Sequence, residues 1–265
     1  MPDSIANIIT HLENIAPPIY QENYDNAGLI VGNKEATCTG VITCLDTTEA
    51  VIEEAIEYGC NLVVAHHPIV FRGLKRLTGE NYVERVVIKA IKNDIAIYAI
   101  HTNLDNVYAQ GVNAKIAERL GLINTHILSP KPAFNDPLVG AGLFGELEES
   151  MSEMDFLRHL KTQMNTNCVK YTTLIGQPIK KVALCGGAGS FLLPQAIASG
   201  AQVFITGDYK HHEFFDAENQ IIIADIGHFE SEQFTIELLA HIIQEKFGTF
   251  AVRLTKINTN PVNYL

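Results

Sequence analysis

Near its start the chain carries Ile5, Ile8, Ile9 and Leu12, apolar positions spaced at i, i+3, i+4 and i+7. That spacing predicts an amphipathic helix closed by Pro17-Pro18. After a loop containing Tyr24-Asp25-Asn26-Ala27-Gly28, short apolar runs alternate with helical spacing. Gly40–Cys44 reads as a strand, 49–58 as a helix and 61–65 as the next strand. Val83, Val86, Val87, Ala90 and Ile91 predict another helix, and 94–100 reads as a buried strand. The last helix, 232–247, places Ile236, Leu239, Ala240 and Ile243 on one face. Strands alternating with helices in this way specify an α/β fold with parallel strands.

The pattern repeats. The stretch from Val41 matches the stretch from Val182 without a gap at an offset of 141 (182 − 41), so Cys44 falls on Cys185, Ala55-Ile56 on Ala196-Ile197 and Gly59 on Gly200. Further on, 94–101 resembles 220–228, and each of these segments ends in a histidine with a carboxylate four residues later, His101 with Asp105 and His228 with Glu232. Either one βαβ unit has been duplicated, or the likeness is the physics common to such units. Both readings give two similar α/β domains. The prolines of Ser129-Pro130-Lys131-Pro132 set the expected boundary, giving domains 1–128 and 129–265, with the last helix able to pack back on the first. Sites in such sheets lie at the carboxyl ends of the strands.

Composition excludes several classes of function. With 265 residues, 47% of them apolar and 18% charged, the chain has the makings of an ordinary globular core. Thirty acidic against 19 basic side chains give −11, which repels a phosphate backbone, so DNA is an unlikely partner. No apolar run reaches the ~18–20 residues of a membrane helix. The first residues lack the basic and apolar regions of a secretory signal. Five cysteines, at 38, 44, 60, 168 and 185, form no Cys-x-x-Cys pair and no even framework, so a reducing, cytoplasmic location is expected. Cys44 and Cys185 read as core residues.

The residues with chemistry cluster at strand ends. His66-His67-Pro68 follows the strand 61–65. Adjacent side chains of an extended chain point to opposite sides, so the doublet suits one imidazole for each of two ions, or else a pair of solvated strand-end histidines. His101 with Asp105, and His228 with Glu232, can each fold one turn back onto a common point, or serve as a cap and an exposed helical pair. Nitrogen and oxygen donors without thiolate suit Zn, Mn, Fe or Co in pairs, and two such ions would reverse the local field where an anion docks. Arg72, Lys75 and Arg76 form a basic cluster beside the doublet that can hold a phosphate or simply face solvent. Asp208 and His211 can line the same site, or cap a helix and lie on the surface. Residues 185–190, Cys-Gly-Gly-Ala-Gly-Ser, can cradle an anion or make a tight turn, and Asp46 with Glu49 reads as a capping box.

Four motifs together resemble a known family: Tyr24-Asp25-Asn26-Ala27-Gly28-Leu29-Ile30-Val31-Gly32, Ala65-His66-His67-Pro68, 101–106 (His-Thr-Asn-Leu-Asp-Asn) and 227–232 (Gly-His-Phe-Glu-Ser-Glu). They are similar to the GTP cyclohydrolase 1 type 2 homologs, also called Ngg-one-interacting-factor-three-like proteins. The resemblance runs in order over nearly the whole chain. It implies two α/β domains enclosing a dinuclear metal site in the cleft between them, and subunits assembled into a toroidal homohexamer. It implies that His66 binds one metal, that His67 and Asp105 bind the other, that His228 joins His66, and that Glu232 bridges. His101 stands beside the site. Only 123 positions (228 − 105) separate Asp105 from His228, too few for the middle insertion of longer members.

The resulting expectation is a metal-dependent hydrolase or cyclohydrolase with two divalent ions per chain, whose activated water attacks a nucleotide or related anionic small molecule. In a GTP cyclohydrolase reaction the target would be C8 of guanine, with His101 as the proton carrier. The alternative is a non-enzymatic ring, a metal-binding scaffold or a regulator that binds protein or DNA.

Overall fold

The computed structural model describes residues 2–265. Its strands, in chain order, are β1 (Gly28–Val31), β2 (Gly40–Cys44), β3 (Leu62–Ala65), β4 (Ala96–Ala99), β5 (Ile123–Pro130), β6 (Gly140–Met151), β7 (Lys170–Tyr171), β8 (Ile179–Ala188), β9 (Val203–Gly207), β10 (Ile222–Asp225) and β11 (Ala251–Leu254). They form two sheets in two compact units, which share a mixed α/β character.

The first unit contains 1–104 and 235–261. Its sheet has the order β1-β4-β3-β2-β11, with β4, β3, β2 and β11 parallel and β1 antiparallel at one edge. β2, β3 and β4 are buried along their whole length, which is why they read as unbroken apolar runs rather than alternating ones. The helix Ile5–Ile15 starts at Ser4, whose side chain accepts from the Asn7 N–H, and buries Ile5, Ile8, Ile9 and Leu12. The helices Glu49–Glu57 and Tyr82–Lys92 bury Val51, Ile52, Val86 and Val87 against Ile42, Val63 and Ile97 of the sheet.

The second unit contains 105–234 and 262–265. Its sheet runs β5-β6-β8-β9-β10-β7, with β8, β9 and β10 parallel and β5, β6 and β7 joined antiparallel. Leu128, Ala183, Phe204 and Ile223 pack with Leu192, Leu193 and Ala196 in its core. The repeated stretches therefore form the same three-strand frame, β2-β3-β4 in one unit and β8-β9-β10 in the other. Cys44 and Cys185 are buried core thiols, and burial pushes the pKa of both upward.

The units part at 104/105 and 234/235 rather than at 128/129. Pro130 ends β5 opposite Gly140, and Lys131 donates its N–H to Val139 O at 3.0 Å, so the two prolines lie in a hairpin connection and not in a linker. The helix expected over 232–247 is two helices, His228–Glu232 and Thr235–Lys246. The break falls where the chain passes from the second unit to the first, and Gln233 there turns its side-chain amide to Met164 O and Glu230 O. Among the described residues no helix is long and apolar enough to cross a membrane.

Glu84 fixes the start of the helix Tyr82–Lys92. Its carboxylate accepts from the N–H groups of Thr78, Gly79 and Glu80, the Thr78 hydroxyl and the Asn81 amide, and the Thr78 N–H bond leads in holding its pKa below the usual carboxylate range. A carboxyl stabilised as its anion in the folded state contributes stability above its unfolded value, and that contribution is lost as pH falls through the folded one. Glu84→Gln should therefore lower the urea midpoint at pH 7, and the gap from wild type should narrow at pH 3. Equal gaps at both pH values would contradict this assignment.

Candidate metal centre

Register places the site. Cys44 pairs with Ala65, and Ala65 with Ala99, so the residues after β2, β3 and β4 leave the sheet at one edge. Those residues include Asp46, His66, His67 and His101. The doublet lies in a bend past the end of β3 rather than in extended chain, so its side chains converge instead of pointing to opposite sides. The two rings are 4.9 Å apart, and donor atoms of His66, His67 and His101 lie within 4.8 Å of one another.

Each ring is oriented through Nδ1. The buried His66 faces Ile100 O at 2.9 Å, His67 faces Asp46 Oδ1 at 2.8 Å, and His101 faces Asp25 Oδ1 at 2.8 Å. An acceptor at Nδ1 holds the proton there and leaves the Nε2 lone pair for a metal or a proton. Burial pushes the Asp25 carboxyl up, but the His101 hydrogen bond and charge, with the Thr102 hydroxyl and the Asn26 N–H, outweigh it and bring the value down to about 2. Asp25 is thus an anion at neutral pH.

The second unit has a matching edge. Thr206 pairs with Asp225 and Ala188 with Gly207, bringing Gly187, Asp208 and His228 to the carboxyl ends of β8, β9 and β10. His228 opens a short helix, and its Nε2 is 3.1 Å from Glu232 Oε2 one turn on, while its Nδ1 faces Asp208 Oδ2 at 2.8 Å. A donor atom of Asp105 lies within 4.8 Å of one of Glu232. Glu232 is buried, and glycine makes room for it: a Cβ on Gly187, whose φ is +63°, would stand 2.4 Å from Glu232 Oε1.

These residues fit a divalent metal. The 3.1 Å between His228 Nε2 and Glu232 Oε2 suits two donors each about 2.0–2.2 Å from one ion. Imidazole held by carboxylate or carbonyl is the arrangement that metal-bound histidines show. The Cys185 thiol stays protonated through burial, which leaves a nitrogen and oxygen set suited to Zn, Mn, Fe or Co.

The remaining expected residues fall elsewhere. Arg72, Lys75 and Arg76 are exposed in the irregular segment after His67. Asp208 orients His228, while His211 is exposed at the start of the turn His211–Ala217, beside His212 and Phe215. His211 lines a surface cavity of about 360 Å³ with Tyr171, Phe214 and Glu218. The glycine-rich stretch is the end of β8 rather than a tight turn, and it does not cradle an anion, because Gly186, Gly187 and Gly189 donate their N–H groups to Asn113, Ser231 and Thr206. Nor is Asp46 part of a capping box: Thr48 caps the helix, and Asp46 accepts from Thr259 as well as facing His67. Neither Asp25, which the sequence offers only within a motif, nor Asp46, which it offers as a capping residue, was expected to orient a histidine. The signal for Asp46 was its position two residues beyond a strand adjacent to the one that delivers His67.

Comparison with known proteins gives a consistent picture. The family model Duf34/NIF3 (NGG1p interacting factor 3) matches residues 4–261. A Clostridium perfringens protein named GTP cyclohydrolase 1 type 2 homolog is 35% identical over 92% of this chain and 93% of its own, and a Clostridium acetobutylicum protein of the same name is 34% identical over 86% and 85%. The crystal structure of a Staphylococcus aureus hypothetical protein is similar over 100% of both chains, at 31% identity and a TM-score of 0.91.

Removing an orienting carboxylate should weaken metal binding without unfolding the chain. Asp46→Ala is expected to lower metal affinity ~10–100-fold in a chelator competition. The stability of the metal-free protein should fall by only about 1–3 kcal/mol, for the lost Thr259 and His67 bonds. Unchanged metal affinity would remove Asp46 from the site.

Proposed function

The chain belongs to the Duf34/NIF3 family, and from that membership we propose that it is a metal-dependent hydrolase of the GTP cyclohydrolase 1 type 2 kind, acting on a nucleotide or related anionic small molecule. One observation carries the reading: four strand-end histidines each have Nδ1 turned to a carbonyl or carboxylate, which fixes the ring and sets Nε2 as the ligand atom.

In this proposal His66, His67, His228, Asp105 and Glu232 would hold two divalent ions. Such ions would supply Lewis acidity and lower the pKa of a water toward neutrality. The protein's own groups do the rest. Asp25 keeps the His101 proton at Nδ1, so His101 Nε2 can take a proton from the attacking water and pass it to the leaving group. Asp46 and Asp208 hold their imidazoles against rotation. Arg72, Lys75 and Arg76 offer positive charge to a phosphate in a chain whose net charge is −11.

Metal content and turnover over a panel of nucleotides and phosphoesters should be measured together, on wild type, His67→Ala and Glu232→Ala. Wild type is expected to hold close to two ions per chain and to turn over one substrate class. Each variant should lose metal and at least ~100-fold in rate, more than loss of an orienting group alone produces. Full metal loading with no turnover on any substrate would refute hydrolysis and move the function to metal handling.

A further inference from the structure

Tyr24 and Phe71 are two large rings that the metal centre does not use. Tyr24 is 65% exposed and Phe71 47%, although burying either would be favourable. Both are anchored to the histidine cluster. Asp25, next to Tyr24, is bound to His101 and Thr102, and the Asn26 side chain donates to Val70 O at 2.6 Å, one residue before Phe71. The rings consequently stand in a row: Phe71 lies 6.4 Å from the His101 ring at 77°, and Tyr24 lies 6.3 Å from Phe71 at 40°. Arg72, Lys75 and Arg76 follow directly on the same exposed segment.

We propose that Tyr24 and Phe71 are a stacking platform for the planar ring of a nucleotide, whose phosphates are met by Arg72, Lys75 and Arg76. The proposal rests on the hydrolase reading and names its substrate class. An exposed aromatic face attracts any planar heteroaromatic ring, and each stacked base contributes enough to matter for a small ligand. Cations beside the rings supply what an uncharged ring lacks, a partner for phosphate. Every base has a π-face, so this platform selects a ring over no ring, and not one base over another. Adenosine and guanosine should bind it alike.

The chain contains no tryptophan, so Phe71→Trp introduces a single indole at the platform. In the metal-loaded full-length variant, guanosine and adenosine should each quench its emission saturably, whereas inorganic tripolyphosphate should not. Tyr24→Ala is expected to weaken nucleoside binding ~10-fold, the scale of one lost stacking contact. It should leave metal content and calorimetric binding of tripolyphosphate unchanged, while Arg72→Ala should weaken tripolyphosphate. Emission indifferent to both nucleosides up to their solubility would overturn the platform. So would a Tyr24→Ala variant that loses nucleoside and tripolyphosphate equally. Turnover decides the hydrolase reading separately. Stacking without turnover keeps the platform as a nucleotide site and removes hydrolysis, whereas turnover of a ring-free phosphoester without stacking removes the platform alone.

Discussion

An imidazole has two nitrogens, and what one of them faces decides what the other can do. In this protein His66, His67, His101 and His228 all spend Nδ1 on an acceptor of the chain itself. Three of the four acceptors lie at the end of another strand of the same sheet: Ile100 beyond β4, Asp46 beyond β2 and Asp208 beyond β9. The chemistry is thereby tied to the pairing of parallel strands. A slip of one residue would turn every side chain of a strand to the other face, and both the donor and its acceptor would be lost together. The wholly buried strands β2, β3 and β4 make such a slip prohibitive, because each face is packed against apolar neighbours.

Each unit also buries a carboxylate at its own strand-end edge. Asp25 has no exposed side-chain surface and remains ionised, and Glu232 is nearly as buried. A buried carboxylate is costly unless something positive or a set of donors compensates it. For Asp25 the donors are His101, Thr102 and Asn26. For Glu232 the surroundings are His228 and the two glycines that let it in, and an arriving cation would relieve the potential there. This pull toward cations follows from where the carboxylates sit, whatever reaction the site serves.

Much of the architecture was legible because the wholly buried parallel strands announce themselves as apolar runs. The order β, α, β, the turn glycines and the strand-end histidines could all be read directly. The antiparallel members were not. β5 is mostly exposed and its sequence, Ile-Asn-Thr-His-Ile-Leu-Ser-Pro, shows no regular alternation, and β7 has only two residues, so neither stands out from loop. The unit boundary was misplaced because proline marks a break in regular structure, and a hairpin breaks it as well as a linker does. The pairing of Asp25 and Asp46 with histidines was illegible for a different reason. Their histidine partners are 76 and 21 residues away, a distance over which spacing says nothing and only the register of the finished sheet brings the pair together.

The repeat shows how one frame can carry two different donor sets. At the offset of 141, Asp46 falls on Gly187 and His67 on Asp208. In the first unit these positions form an acceptor and an imidazole across β2 and β3. In the second, the imidazole position holds a carboxylate instead, and that carboxylate orients the histidine delivered after β10. The acceptor position becomes glycine, whose missing Cβ is the space that Glu232 enters. Loss of a side chain at one strand end and reversal of role at the next therefore go together. A carboxylate kept at 187 would have occupied the volume of Glu232 and repelled its charge, so the buried Glu232 and the bare Gly187 are a single structural choice.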